Sequence, residues 1–68
     1  MKAFEFHEGE VVSNPVSRRM IVDLDFVVML LEILYEGRTL WNVVFSGGGT
    51  VSLTKPAFDR ILLAWKSN

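Results

Sequence analysis

The fold of this chain depends on residues 26–36, Phe-Val-Val-Met-Leu-Leu-Glu-Ile-Leu-Tyr-Glu. The first ten of these residues are mostly apolar, which is typical of a buried strand or of a buried helix, and periodicity alone does not separate the two. The run is about half of the ~20 residues that a membrane-spanning helix requires, and Glu32 interrupts it. No membrane span is predicted, and the type of buried element stays open.

Two interpretations fit the ends of this segment. The favoured one is a helix, with Asp25 as its N-cap, good helix formers at residues 29–32 and Gly37 where a C-cap glycine belongs. The other is a central strand, which would enter a tight hairpin turn at residues 35–38 and continue into residues 39–45. Asn or Asp would suit the position before the glycine better than the glutamate found there.

Alternation and turn residues predict β-strands on both sides of this segment. Residues 3–6 alternate apolar and acidic side chains. In residues 19–25, apolar side chains recur at every second position, as expected for a strand with one solvent-exposed face. Residues 39–45 and 50–53 are rich in β-formers, and a Ser-Gly-Gly-Gly turn joins them into a predicted hairpin. We therefore expect an α+β fold in which all 68 residues form one domain, with an antiparallel sheet of about four strands packed against a C-terminal helix.

The C-terminal helix is the clearest element in the sequence. Thr54 is a suitable N-cap, and Pro56 stands in the first turn, where its missing N–H costs no hydrogen bond. Apolar residues then recur at helical spacing on one face, at Phe58, Ile61, Leu62 and Trp65. Leu63 falls on the opposite face and should be exposed in a monomer, which indicates a second contact surface.

Half of the 68 residues are apolar, and the chain has no cysteine. A chain of this size buries only about 60% of its unfolded surface, so its core is small. Small domains often gain stability from disulfides, a metal or a second subunit, and without cysteine neither disulfides nor thiolate zinc sites can form. We expect another chain to cover the surplus apolar surface, in a homo-oligomer, with a dimer as the first expectation, or in a complex with another protein.

The charge balance disfavours polyanionic partners. Seven Lys and Arg against eight Asp and Glu give a net charge of -1, which provides no electrostatic footprint for duplex DNA or an acidic membrane surface. Nucleic acid is therefore an unfavoured partner, with single strands as the remaining possibility, and no membrane partner is expected. The first six residues lack the basic and then apolar order of a signal peptide, so the expected location is cytoplasmic.

No catalytic, cofactor or metal site is predicted. His7 is the only histidine, and no nucleophile or second ligand stands at a recognisable spacing from it. Asp23 and Asp25 alternate with apolar residues, which favours solvent-facing strand positions over a Mg²⁺ site. The triple glycine of residues 47–49 lacks the Lys-Ser/Thr of a phosphate-binding loop. We expect that the protein is not an enzyme.

Five residues are candidate partner-binding positions. Trp41 points outward from its strand if Leu40 points inward, and tryptophan is enriched among binding hot spots. Leu63 is the apolar residue on the outer side of the helix. The other three are cations that could contact a phosphate or a carboxylate: Arg18, Arg19 and Arg38.

The expected function is that of a small non-enzymatic protein-binding module or inhibitor that occupies a surface of a partner protein. Small acidic proteins without a catalytic constellation often act in this way, and inhibitors encoded by phages and other mobile elements are examples. This step rests on analogy and not on residue chemistry. The alternative is a single-stranded nucleic-acid-binding protein that uses Trp41 and the arginines.

One segment resembles a known family. The stretch Gly49-Thr50-Val51-Ser52-Leu53-Thr54, followed by Phe58 and Leu62, resembles the last strand and helix of the transcriptional positive-cofactor domains, which are similar to Whirly-type single-strand DNA binders. It covers about a fifth of the chain, and the basic strand residues that such binders use are not evident. The resemblance implies a curved antiparallel sheet closed by a helix, and dimerisation through that helix with Leu63 and Trp65 in the interface. It also implies binding of single-stranded DNA.

Overall fold

The computed structural model describes residues 2–14 and 18–68, and places five strands and one α-helix in them. The elements are β1 (Ala3–His7), β2 (Arg19–Asp23), β3 (Val27–Tyr35), β4 (Arg38–Phe45), β5 (Thr50–Leu53) and α1 (Lys55–Lys66). β1 pairs with β2, while β3, β4 and β5 form a second antiparallel sheet in that order. The α+β class is confirmed, with five strands in two sheets where about four strands in one sheet were expected.

Residues 26–36 contain the whole of β3 and the first residue of the hairpin turn that follows it, so the helical interpretation is wrong and the strand interpretation is confirmed. β3 pairs with β4 along its whole length, and Glu36 and Gly37 both have positive φ, 50° and 74°. Positive φ at both central residues is what a two-residue type I′ hairpin requires. Gly37 adopts it without strain, and the long ladder beyond the turn offsets the cost at Glu36.

The place of this strand also differs from the prediction. β3 lies at the edge of its sheet, and β4 is the central strand. Asp25 does not cap a helix. Its N–H donates to Asp23 Oδ1 at 3.0 Å, and Asp23 thereby caps a single 3-10 turn, Leu24–Phe26, that leads the chain from β2 into β3.

The core lies between α1 and the inner face of the β3–β5 sheet. Val43 lies opposite Val51 and Trp41 lies opposite Leu53, so these four side chains share the inner face. Every buried residue in the described part of the chain is apolar: Phe6, Val11, Leu24, Val27, Val43, Leu53, Ala57, Phe58 and Ile61. The core therefore draws on both sheets and the helix.

The predicted apolar face of α1 is confirmed. Phe58 and Ile61 are buried, and Leu62 and Trp65 pack partly buried against the core. Leu63 is 69% exposed, as its position on the opposite face predicted. The helix thus covers one side of the sheet and leaves one large apolar side chain in solvent.

Residues 10–13 close the other edge of β5. Val11 forms an antiparallel bridge with Leu53, the Val12 N–H donates to the Ser52 carbonyl at 2.9 Å, and the Thr54 N–H donates to the Glu10 carbonyl at 3.0 Å. The N-terminal part of the chain is in this way joined to the strand that leads into α1.

An ion pair between Glu10 and Arg60 strengthens this junction. Arg60 Nη1 donates to both carboxylate oxygens of Glu10, at 2.8 and 2.6 Å, and Nη2 donates to the Glu5 carbonyl at 3.0 Å. Its guanidinium also lies 5.1 Å from the centre of the Phe4 ring. Burial opposes ionisation of Glu10, but the hydrogen bonds from Arg60 and from the His7 N–H outweigh it, so the pKa of Glu10 lies below its ordinary value of 4.5.

Glu10→Gln should lower the free energy of unfolding at pH 7 by about 0.5–1 kcal/mol, the range for ion pairs that remain partly in solvent. Because the pKa of Glu10 is lower in the folded chain than in the unfolded chain, its contribution is present above about pH 4.5 and is lost as the pH falls through the folded-state pKa. Urea unfolding of both chains between pH 3 and pH 7 measures this. A stability difference that stays constant over this range would contradict the assignment.

Candidate functional site

An open recess lies at the start of β4, on the side where β5 ends. β4 pairs with β3 over its whole length, but its pairing with β5 extends only from Val44↔Thr50 to Trp41↔Leu53. Beyond Leu53 the chain turns into α1, so no strand among residues 2–14 and 18–68 accompanies residues 38–40 on that side. The space left has a volume of about 340 Å³ and is lined by Val12, Arg38, Thr39, Leu40, Trp41, Ser52, Leu53, Thr54 and Lys55. We call it the β4 recess.

The backbone of Thr39 faces this recess. The Phe45 N–H donates to the Gly49 carbonyl on the β5 side, and the Ser46 N–H donates to the Phe26 carbonyl on the β3 side. Backbone groups alternate between the two sides of a strand, so the odd-numbered residues of β4 face β5. The N–H and C=O of Thr39 consequently point to the side where β5 has ended, and can pair with an added strand.

Trp41 lies on the opposite face from the one predicted. It lies opposite Leu53 and Glu32, on the inner face with Val43, while Leu40 lies on the outer face. The indole is half-buried against the core, and its Nε1–H donates to Glu32 Oε2 at 2.7 Å. The prediction that Trp41 points outward is therefore wrong, because α1 covers the face to which the odd-numbered residues of β4 belong. Trp41 is also one of the residues that line the β4 recess.

Two cations line the β4 recess, and among the described residues a partner is found for one of them. Lys55 Nζ donates to both carboxylate oxygens of Asp59, at 3.0 and 3.1 Å, on the next turn of α1. Within the described part of the chain, no hydrogen bond or ion pair is recorded for the exposed side chain of Arg38. Arg38 can therefore contact a carboxylate of a bound molecule without losing a partner.

The other predicted partner-binding residues lie outside the β4 recess. Arg18 is almost fully exposed, with its Nε 3.9 Å from Glu8 Oε1, and Arg19 lies opposite His7 in the β1–β2 pair. Leu63 lies on the solvent side of α1. The structure thus brings two of the five predicted residues, Trp41 and Arg38, to one place. Sequence reasoning missed Thr39 and Leu40, since only the shortness of β5 shows that they border a recess.

A second apolar surface follows β3. Five large apolar side chains there, which we call the β3 surface, are each between 45% and 76% exposed: Phe26, Val28, Met29, Leu34 and Tyr35. Val28 lies at a bulge, where the pairing register with β4 shifts between Val27 and Met29. Sequence reasoning placed surplus apolar surface on α1 and at Trp41, and the structure places more of it on β3.

The side chains that could take part in catalysis or bind a metal ion are dispersed over the described part of the chain. No group of three or more His, Cys, Asp or Glu residues is placed to hold a metal ion among residues 2–14 and 18–68. His7 lies on the exposed side of β1, with its Nδ1 3.5 Å from Glu5 Oε2. Over the same residues, no helix has the length and apolar character to cross a membrane.

No match was found when the chain was compared with models of protein families, with curated proteins and with solved structures.

Proposed function

We propose that this protein is a non-enzymatic protein-binding protein that receives an extended segment of a partner protein in the β4 recess. The observation that carries the proposal is the combination of an unpaired backbone position at Thr39 with Trp41 and Arg38 in one recess. Added strands gain affinity from backbone hydrogen bonds and specificity from alternate side chains. Tryptophan and arginine are the side chains most enriched in binding hot spots.

The chemistry of the recess defines the segment that fits. An extended partner backbone can exchange hydrogen bonds with Thr39, and an apolar side chain on the inner face of the sheet can pack on Trp41. An acidic residue of the partner would meet Arg38, whose charge has no partner in the described part of the chain. We therefore expect the bound segments to carry an acidic residue next to an apolar one. Where such a segment is needed for the partner protein's own activity, its binding in the β4 recess would inhibit that activity.

The contacts of Trp41 hold its side chain in one orientation before a partner binds. The hydrogen bond to Glu32 fixes the indole, and its partial burial against the core limits its rotation. A side chain that is already ordered loses little conformational entropy when a partner packs on it. The single-strand nucleic-acid alternative has less support, because Arg18 and Arg19 lie outside the β4 recess that Trp41 lines, and Arg18 lies beside Glu8.

Thr39→Pro should weaken the binding of such segments about tenfold, because proline removes one backbone hydrogen bond to the partner, worth up to about 1.4 kcal/mol. The probes are peptides selected from a random display library on the immobilised wild-type chain, with affinities measured by fluorescence anisotropy. Thr39→Val keeps the N–H and a similar shape, so it should bind within about twofold of the wild type. Arg38→Glu should remove the preference for acidic peptides.

Several outcomes would overturn the proposal. These are a library that yields no binding peptide, selected peptides that bind Thr39→Pro and Thr39→Val equally well, and acidic peptides that bind Arg38→Glu as tightly as the wild type. Circular dichroism of each variant shows whether the fold is retained.

A further inference from the structure

β3 is an edge strand with unusual properties. It is nine residues long, and within residues 2–14 and 18–68 it has a strand partner on one side only. It contains no lysine or proline, and its protection is limited to the single charge of Glu32 and the bulge at Val28 near one end. Soluble proteins usually protect an exposed edge with such residues or keep it short, because a long apolar edge pairs with other chains.

The backbone of β3 offers hydrogen-bonding groups along this edge. Even-numbered residues of β4 face β3, so their partners on β3, which include Leu31 and Ile33, direct their own backbone groups towards β4. The residues between them then direct theirs away from the sheet: Leu30, Glu32 and Leu34. Three N–H and three C=O groups are thereby presented to a further strand, so the occupant must have an extended backbone.

We infer that the occupant is β3 of a second copy of this chain, paired antiparallel about a two-fold axis at Leu31. A strand that covers the whole of β3 must itself be about nine residues long and apolar, and a second copy meets both requirements. An isologous contact of this kind closes after two chains and does not propagate into a fibre. The product is a continuous sheet in the order β5, β4, β3, then β3, β4 and β5 of the partner.

The single charge of β3 selects the register. With the two-fold axis at Glu32, the two Glu32 carboxylates lie directly opposite each other, which destabilises the pair. With the axis at Leu31, the strand Val27–Tyr35 overlaps its copy over all nine residues, and Glu32 lies opposite Leu30 of the partner subunit. Leu30 and Glu32 of each copy then exchange four backbone hydrogen bonds with the other copy.

The same register brings four of the five exposed side chains of the β3 surface, all except Phe26, against the partner strand. Leu34, which is 76% exposed in the single chain, lies opposite Val28 of the partner subunit, and Tyr35 lies opposite Val27 of the partner subunit. The β4 recess is on the other side of β4, so each dimer presents two open recesses. The dimer therefore goes beyond the proposed function and uses different residues.

Solution mass by light scattering between 1 and 200 µM tests the dimer, with two matched leucine variants. Leu34→Lys puts a charge on the edge of β3, while Leu63→Lys makes the same change at a similarly exposed position on α1. The wild type and Leu63→Lys should have the mass of two chains at the upper concentrations, and Leu34→Lys the mass of one chain. A wild type that is monomeric throughout, or a dimer that only Leu63→Lys disrupts, overturns the inference.

Disulfide cross-linking tests the register, since the chain has no cysteine of its own. Leu31→Cys places a thiol beside its own copy at a pair without hydrogen bonds, where the two Cα atoms are about 4.5 Å apart. It should form a covalent dimer under mild oxidation. Tyr35→Cys lies four residues from the axis and should form none. Efficient cross-linking of Tyr35→Cys, or none of Leu31→Cys, overturns the register.

The binding of selected peptides by Leu34→Lys should equal that of the wild type, which separates this test from that of the β4 recess.

Discussion

Phe6→Ala is expected to lower the free energy of unfolding by about 4 kcal/mol, the largest effect of any single change considered for this chain. Phe6 is the largest fully buried side chain, and its ring packs edge to face on Phe4 with 5.0 Å between ring centres. The pairing of Phe6 with Met20 places it where the β1–β2 pair meets the core. Removal of the ring leaves a cavity that the two sheets and the helix cannot fill without shifting towards one another.

Equilibrium urea unfolding, followed by the fluorescence of Trp41 and Trp65, measures the effect. A domain of this size has a total stability of about 3–10 kcal/mol, so Phe6→Ala should be close to unfolded at 37 °C. Phe26→Ala is the matched control, because Phe26 is 58% exposed and its loss should cost less than about 1 kcal/mol. Equal destabilisation by the two changes would contradict the position of the core.

Leu40→Pro is expected to destabilise the chain by about 3 kcal/mol, while Thr39→Pro, one residue earlier, should change the stability by less than about 1 kcal/mol. Leu40 lies opposite Ile33, and its N–H faces β3 within the ladder. Proline at this position removes a hydrogen bond from the central strand. The N–H of Thr39 faces the β4 recess, so its removal costs no backbone hydrogen bond within residues 2–14 and 18–68.

This contrast is measured by thermal and urea unfolding of the two proline variants. The result also decides how the peptide experiments are understood, because a stable Thr39→Pro chain that binds poorly has lost a binding group and not its fold. If Thr39→Pro is as unstable as Leu40→Pro, the backbone of Thr39 is not free, and the alternation deduced for β4 is wrong.

The elements set by local signals could be predicted from the sequence. The helix from Lys55 to Lys66 follows from Pro56 in its first turn and from the spacing of Phe58 and Ile61. The β4–β5 hairpin follows from β-formers around the glycine-rich turn. Both depend on residues close together in the chain, for which pattern and propensity are reliable guides.

Residues 26–36 could not be assigned in this way, because a partner distant from most of them decides their conformation. Leu30 and Leu31 are good helix formers. However, β4 forms backbone hydrogen bonds with β3 along the whole strand, and Gly37 allows the turn that joins the two strands. Tertiary context here outweighs helix propensity, which differs between residues by less than about 1 kcal/mol.

The face on which Trp41 lies has a similar explanation. Alternation shows that Trp41 and Leu40 point to opposite faces, but it does not show which face α1 covers. The β4 recess was beyond prediction as well, since it arises where β5 is shorter than β4. Arg38 and Trp41 were selected for their chemistry, and their meeting in one recess is a product of the fold.

The pairing of residues 10–13 with β5 has a consequence for synthesis of the protein. Glu10 leaves the ribosome 50 residues before Arg60. The N-terminal segment therefore cannot form its ion pair with Arg60 until α1 has been synthesised. During that interval β3 has emerged with its apolar side chains exposed to other nascent chains. The core is therefore completed in one late step, and before it the newly made chain exposes an apolar strand that is prone to aggregation.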